Sequence, residues 1–182
     1  LDYIDLNRPK EEEFGLKRLH PIRDIILQST LAEKTVVIGG TNGKGTSAEF
    51  LNNLLIESNF KVGLYTSPHL FNFNERIRIN GLPVSDAEII EAFEEIERIK
   101  KDIKLTYFDY ATLAAFIIFT KNILDVVILE IGLGGRYDPV NLVDSDIAIL
   151  TNVELDHQKW LGNTREQIGK EKSAIFRDDK TI

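Results

Sequence analysis

From residue 39 the chain reads Gly39-Gly40-Thr41-Asn42-Gly43-Lys44-Gly45-Thr46-Ser47, with four glycines and one lysine in nine positions. Glycines let backbone N–H groups converge on phosphate oxygens, and a helix N-terminus beyond them adds roughly half a positive charge. Gly40, Thr41, Asn42, Gly43, Lys44, Gly45 and Thr46 are therefore the candidate nucleotide phosphate-binding residues, with Lys44 as the cation that neutralises the β and γ phosphates. The plain alternative is a glycine-rich turn with a surface lysine. Context favours the phosphate loop, because a β-branched run at 35–39 precedes it and helix-like apolar spacing at 46–57 follows. One feature departs from the usual loop: Gly45 stands directly after the lysine, where Ser or Thr ordinarily holds Mg²⁺. A metal would then be held mainly from elsewhere.

The elements that must position this loop follow from periodicity. Residues 61–65 read as the next strand, ending in the turn Thr66-Ser67-Pro68-His69. Residues 76–80 alternate charged and apolar, which predicts Arg76 and Arg78 on one face and a hairpin through Gly81. Ser85 followed by Glu88 forms a capping-box pattern for an amphipathic helix running to about residue 101. A more apolar helix covers 110–121, and 126–131 and 147–151 are continuous apolar runs of the kind buried on both faces in parallel sheets. Strands alternating with helices predict an α/β domain, a mainly parallel sheet flanked by helices. Ligands gather at the carboxyl ends of such strands. The loops to watch therefore start at Gly40, Thr66, Gly132 and Asn152.

Composition bounds the partners. The 182 residues are 43% hydrophobic and 28% charged with a formal net charge of -7, which suits a soluble domain and gives no general attraction to nucleic acid or an anionic membrane. The apolar stretch 110–119 is about half the roughly 20 residues a membrane span needs. With no cysteine, disulfides and thiolate metal sites are excluded, and a cytoplasmic location is expected. The acidic stretch 10–13 reads as a solvated face. The chain opens on Leu1, contains no methionine and ends at 178–182 in a turn toward what reads as another strand. The expectation is an incomplete copy of a longer protein.

The segment Gly40 to Thr46 resembles the phosphate loop of the Mur ligase superfamily, and the glycine after the lysine is similar to its folate branch, the folylpolyglutamate synthases. The resemblance continues in matching order through Phe14-Gly15-Leu16-Lys17-Arg18, Thr66 to Leu70, Asn74 to Gly81, Gly132-Leu133-Gly134-Gly135-Arg136 and Leu155-Asp156-His157. It implies a P-loop NTPase-like ATP-binding domain over residues 1–182, with a C-terminal glutamate-binding domain absent from this chain. It also implies ATP and Mg²⁺ as cofactors, and Ser67, Glu130 and His157 as metal ligands. Taken alone, Ser67 also reads as a turn residue, Glu130 as a strand-end charge and His157 as a loop histidine or helix cap. Lys44, His157 and Lys172 carry the catalytic roles in this reading, and Lys172 is implied to be carbamylated by CO₂. On spacing alone Lys172 is a solvated helical lysine.

For the substrate the resemblance points to Phe14, Gly15, Leu16, Arg18, Thr106, Phe108 and Asp138. An aromatic ring can stack on a pterin, and a carboxylate can accept hydrogen bonds from its amino group and ring nitrogen. Phe108 also reads as core, and Asp138 before Pro139 as a turn residue. The implied partners are dihydropteroate or folates and L-glutamate, with no nucleic acid, no membrane and a monomeric state. A carboxylate is a poor acyl donor, since its leaving group would be oxide; transfer of phosphate from ATP makes an acyl phosphate that an amine can attack. Two rivals stand beside this reading: a UDP-muramyl amino-acid ligase of the same superfamily, and a noncatalytic P-loop nucleotide-binding module.

Overall fold

The computed structural model describes residues 15–178, 180 and 181. Phe14 and the acidic stretch 10–13 lie outside the described residues. Six strands form one sheet: β1 (Lys34–Gly39), β2 (Val62–Tyr65), β3 (Ile77–Ile79), β4 (Leu82–Pro83), β5 (Val126–Glu130) and β6 (Ile147–Leu150), in the order β4-β3-β2-β5-β1-β6. β2, β5, β1 and β6 run parallel, while β3 and β4 add an antiparallel hairpin at one edge. The sheet is thus mainly parallel, as the strand-helix alternation predicts.

Every residue of β2 and β5 is buried, because helices cover both faces. With side chains alternating along each strand, one set packs on one layer and the next set on the other. Val36, Ile38, Val62, Leu64 and Ile128 meet α2 (Lys44–Glu57) through Ala48. Val37, Tyr65, Val127 and Leu129 face α4 (Tyr107–Thr120), which is backed by α3 (Asp86–Lys100) and α1 (His20–Ile26). α4 is enclosed on all sides and buries an unbroken run from Asp109 to Phe119. That explains its nearly uniform apolarity.

Two boundaries differ from the periodicity reading. α4 begins at Tyr107 rather than at 110, because Thr106 caps it: the Thr106 hydroxyl accepts from Asp109 N–H and the Asp109 carboxylate accepts from Thr106 N–H. The box carries aspartate where glutamate is usual, so the start is set by polar residues that apolar spacing overlooks. The second difference corrects the placement of Arg76 and Arg78. The segment Phe73–Arg76 is a 3-10 turn, and the strand starts only at Ile77. Period-two alternation therefore does not reach Arg76, which lies against Phe73 and Tyr107 on the α4 side, whereas Arg78 pairs with Glu49 of α2 on the opposite face.

The chain continues through two short helices, α5 (Gln158–Leu161) and α6 (Arg165–Lys172), the latter boxed by Thr164 and Gln167. Near residue 181 the backbone returns to the sheet, where Thr181 bridges Ile147 in parallel. No described helix is long and apolar enough to cross a membrane.

Candidate active site

Since β1, β2, β5 and β6 are parallel, their carboxyl ends share one edge of the sheet. All four loops singled out from sequence leave from that edge. The phosphate loop joins β1 to α2, and Gly43 takes the N-cap position at φ 80. Gly40 sits at φ 142, where a Cβ would stand 1.9 Å from the Thr151 hydroxyl. Only glycine allows both that backbone angle and that approach.

The loop after β6 holds this turn in shape. Asn152 accepts from Thr41 N–H at 3.2 Å and Asn42 N–H at 2.9 Å, and Thr151 donates to the Asn42 carbonyl at 2.7 Å. Lys44 Nζ reaches back to the carbonyls of Gly40 at 3.1 Å and Thr41 at 3.3 Å. Thr151 and Asn152 are the residues that reading the phosphate loop by itself misses; their signal in the sequence is the loop start at Asn152, just past an apolar run.

Lys172 is buried, with 3% of its surface exposed, and its amine donates to the same Gly40 carbonyl at 3.0 Å. It is not the solvated helical lysine that spacing suggests, because α6 packs its last turn under the phosphate loop. Burial first, then the nearby Lys44 charge, pull its pKa below the ordinary lysine value. A neutral amine is a nucleophile, as an ammonium is not.

Glu130, the last residue of β5, is also buried. Its carboxylate accepts Ser67 N–H at 3.0 Å, which brings the ends of β2 and β5 together. Burial raises its pKa, opposed by the Ser67 hydrogen bond and the Lys44 charge. Across from it is the first turn of α2, where a Cβ on Gly45 would sit 3.5 Å from Glu130 Oε1. A side chain after Lys44 would lie in van der Waals contact with this buried, hard oxygen donor, and the glycine leaves that place free. That arrangement fits a small divalent cation, which the Glu130 carboxylate would help to hold. His157, on the loop that follows β6, has a half-exposed side chain, a left-handed backbone at φ 48, and the Asp156 carboxylate 3.5 Å from its Nε2. Among the described residues no three of His, Asp and Glu form a metal-binding cluster.

Beside this centre opens a cleft of about 750 Å³. Gly15, Arg18, Ser67, Thr106, Phe108 and Asp138 all line it, although they come from four separate segments of the chain. Leu16 does not; it starts the 3-10 turn Leu16–Leu19 and packs against the core. Arg18 binds Asp109 at 2.7 Å and so ties that turn to the capped start of α4. Phe108 presses onto Gly132, where a Cβ would lie 2.4 Å from its ring. Asp138 accepts Leu133 N–H at 2.8 Å and Val140 N–H at 3.0 Å, and caps the 3-10 turn Pro139–Leu142. Burial lifts its pKa to about 7 despite those hydrogen bonds. The cleft wall also includes Leu133, Tyr137 and Trp160, exposed apolar side chains that periodicity cannot assign.

A glycine-rich loop on a parallel sheet, a buried carboxylate facing it and an aromatic cleft alongside make up a candidate nucleotide site. The chain belongs to the Mur ligase family: the Mur ligase middle domain matches residues 38–181. It is 43% identical to the dihydrofolate synthase/folylpolyglutamate synthase of Escherichia coli (strain K12), over 99% of this chain and 43% of that protein. With the dihydrofolate synthase/folylpolyglutamate synthase of Haemophilus influenzae it shares 40% identity, over 98% of this chain and 41% of that protein. Its structure is similar to E. coli FolC in complex with DHPP and ADP, with TM-score 0.94 and 43% identity, covering 98% of this chain and 43% of that one. It is also similar to a bifunctional folylpolyglutamate synthase/dihydrofolate synthase with Mn, AMPPNP and L-glutamate bound, with TM-score 0.91 and 44% identity over 98% of this chain and 43% of that one. The chain spans less than half the length of these relatives.

Proposed function

We propose that residues 1–182 are the ATP-binding part of an ATP- and Mg²⁺-dependent ligase that forms an amide between a pterin-linked carboxylate and L-glutamate through an acyl phosphate. The observation that carries this reading is the continuity of the site. One cleft runs from Phe108 and Asp138, suited to a pterin, to Ser67, whose N–H binds the Glu130 carboxylate opposite the phosphate loop. The acid is then dihydropteroate or a folyl glutamate, and the relatives that crystallised with DHPP and ADP or with AMPPNP and L-glutamate support both ends of it.

In this reading Phe108 packs on the pterin ring and Asp138 accepts its N–H groups. Gly15, Arg18 and Thr106 shape the wall; Leu16 supports them from the core side, and Phe14 is assigned with them by resemblance. Residues 40–46 form the nucleotide loop: Asn152 holds the Thr41 and Asn42 amides, while the amides of residues 43–46 and Lys44 stabilise charge on the phosphoryl group in transfer, which is the main catalytic need of such a step. Lys44 would have to exchange the Gly40 and Thr41 carbonyls for phosphate oxygens. Glu130, Ser67 and His157 would hold Mg²⁺, which when bound neutralises phosphate charge. Lys172, as a buried amine of lowered basicity, is the group CO₂ would carbamylate. Glutamate is bound by a domain beyond this chain, and the whole protein is read as a cytoplasmic monomer that binds no nucleic acid.

Assaying the full-length protein for phosphate release with dihydropteroate, a folate and UDP-muramyl substrates tests the assignment. Glutamate-dependent release with a pterin acid is expected. Release only with a UDP-muramyl acid would establish the sister ligase instead, and nucleotide binding without release on any acid would leave a noncatalytic module.

A further inference from the structure

Arg76 is 7% exposed and lines the cleft, yet it has no carboxylate partner among the described residues. Other arginines behave differently: Arg18, Arg78, Arg136, Arg165 and Arg177 each pair with an acid. A buried cation that lacks a counter-ion is costly to the fold, several kcal/mol for desolvation alone in general, so it persists where something else requires it. Here the guanidinium is fixed rather than loose. Nε donates to His69 Nδ1 at 2.8 Å, the Tyr65 hydroxyl also contacts the group, and its carbon lies 5.4 Å from the centre of the Tyr107 ring and 5.9 Å from that of Phe73. A guanidinium carries five N–H donors. His69 and Tyr65 engage a minority of them, and no other oxygen of the described residues takes the terminal nitrogens.

We propose that Arg76 is the receptor for a second, non-reacting carboxylate of the acid substrate, and so favours glutamylated pterin acids over acids with a single carboxylate. The inference rests on the ligase reading above. A carboxylate that is to be phosphorylated must lie at the phosphate loop, where Lys44 and a metal at Glu130 supply the positive charge. Arg76 is on the other face of the sheet from α2, against the α4 residue Tyr107, yet opens on the same cleft as Ser67 and Phe108. It is therefore placed for a different anion on the same molecule. Pteroate has one carboxylate, which the reaction occupies; pteroylglutamate has two, so one remains for Arg76. Its planar fork matches a carboxylate in two parallel hydrogen bonds.

Calorimetric titration of the full-length protein, with a nonhydrolysable ATP analogue present, tests this by comparing pteroate with pteroylglutamate. In Arg76→Gln the ratio of the two Kd values should shift against pteroylglutamate by about tenfold or more, the size of one lost charged hydrogen-bond pair. Arg76→Lys keeps the charge and loses the fork, so its ratio should shift by about threefold, and it serves as the deciding variant if Arg76→Gln does not fold. Equal weakening of both ligands would mean that Arg76 serves the ring or the fold, and the proposal would be overturned. An unchanged ratio in both variants would overturn it as well. If the wild-type protein binds neither acid, the ligase reading itself fails and the inference falls with it.

Discussion

The phosphate loop and the aromatic cleft share one edge of one sheet, yet they are built in opposite ways. The loop is a contiguous run, and its polar groups are already engaged: Asn152 on two amides, Lys44 on two carbonyls, Thr151 on another. The cleft is assembled from distant segments, and its wall leaves Trp160, Tyr137 and Leu133 exposed. A self-satisfied loop is preorganised for a ligand whose chemistry never varies. A wall of exposed apolar surface waits for its ligand to complete it.

The comparison breaks most sharply at Lys44. Replacing it with alanine removes the only side-chain cation within the phosphate loop while leaving Asn152 and Thr151 to hold the backbone. Turnover of the full-length protein should fall by about a hundredfold or more, in line with the loss of one preorganised charge-stabilising donor. The unfolding midpoint should change little, because the Gly40 carbonyl keeps the Lys172 amine as a donor and the Thr41 carbonyl is only half-buried. A variant that loses stability as much as activity would show that Lys44 is a clamp on the loop first and a phosphate ligand second.

A second test separates the two regions by pH. The Asp138 carboxyl has a folded-state pKa of about 7, raised by burial from an ordinary 3.8. Between those values the folded protein keeps a proton that the unfolded chain has released, so this group makes stability fall as pH rises through that window. From pH 5 to 7 the fall is about 2–3 kcal/mol, at roughly 1.4 kcal/mol per pH unit. Urea unfolding at intermediate pH values should show that this part of the slope disappears in Asp138→Asn. The asparagine has its own cost, since it can accept only one of the two N–H groups from Leu133 and Val140 with its oxygen. The slope, not the absolute stability, is therefore the quantity to compare, and a slope unchanged from wild type would assign the proton elsewhere.

The same contrast governs what could be read from the residues in order. Gly40 to Thr46 declares itself because the chemistry and the backbone it needs lie within one short stretch. The strands and α3 are legible for a similar reason, since period and capping box are local. Arg76 is misread by periodicity because a 3-10 turn ends one residue before the strand begins, and only tertiary contacts reveal which face it joins. Lys172 looks solvated on its own helix and is buried because α6 tucks under Gly40, a contact spanning 132 positions. Thr151 and Asn152 show only as the start of a loop after an apolar run, and Tyr137 and Trp160 carry no local pattern at all. Their roles come from where β6, α5 and the loop after β5 end in space.

The smallest expected effect belongs to the rim of the cleft, and it sharpens the comparison because it isolates ligand contact from folding. Trp160 is the only tryptophan of the chain, is 56% exposed and lines the cleft, with the Lys159 ammonium 5.5 Å from its ring centre. Little of the fold depends on it, so Trp160→Ala should leave stability within about 0.5 kcal/mol of wild type. A ring that stacks on a pterin contributes about 0.5–1.5 kcal/mol beyond area burial, so KM for the pterin acid should rise by roughly two- to tenfold. Nucleotide affinity, read at the loop, should not move. In the wild-type protein the same residue reports directly, because pterin binding should alter tryptophan emission while nucleotide alone should change it much less. An emission change driven by nucleotide and indifferent to pterin would place Trp160 with the phosphate loop rather than the cleft, and would redraw the boundary between the two regions.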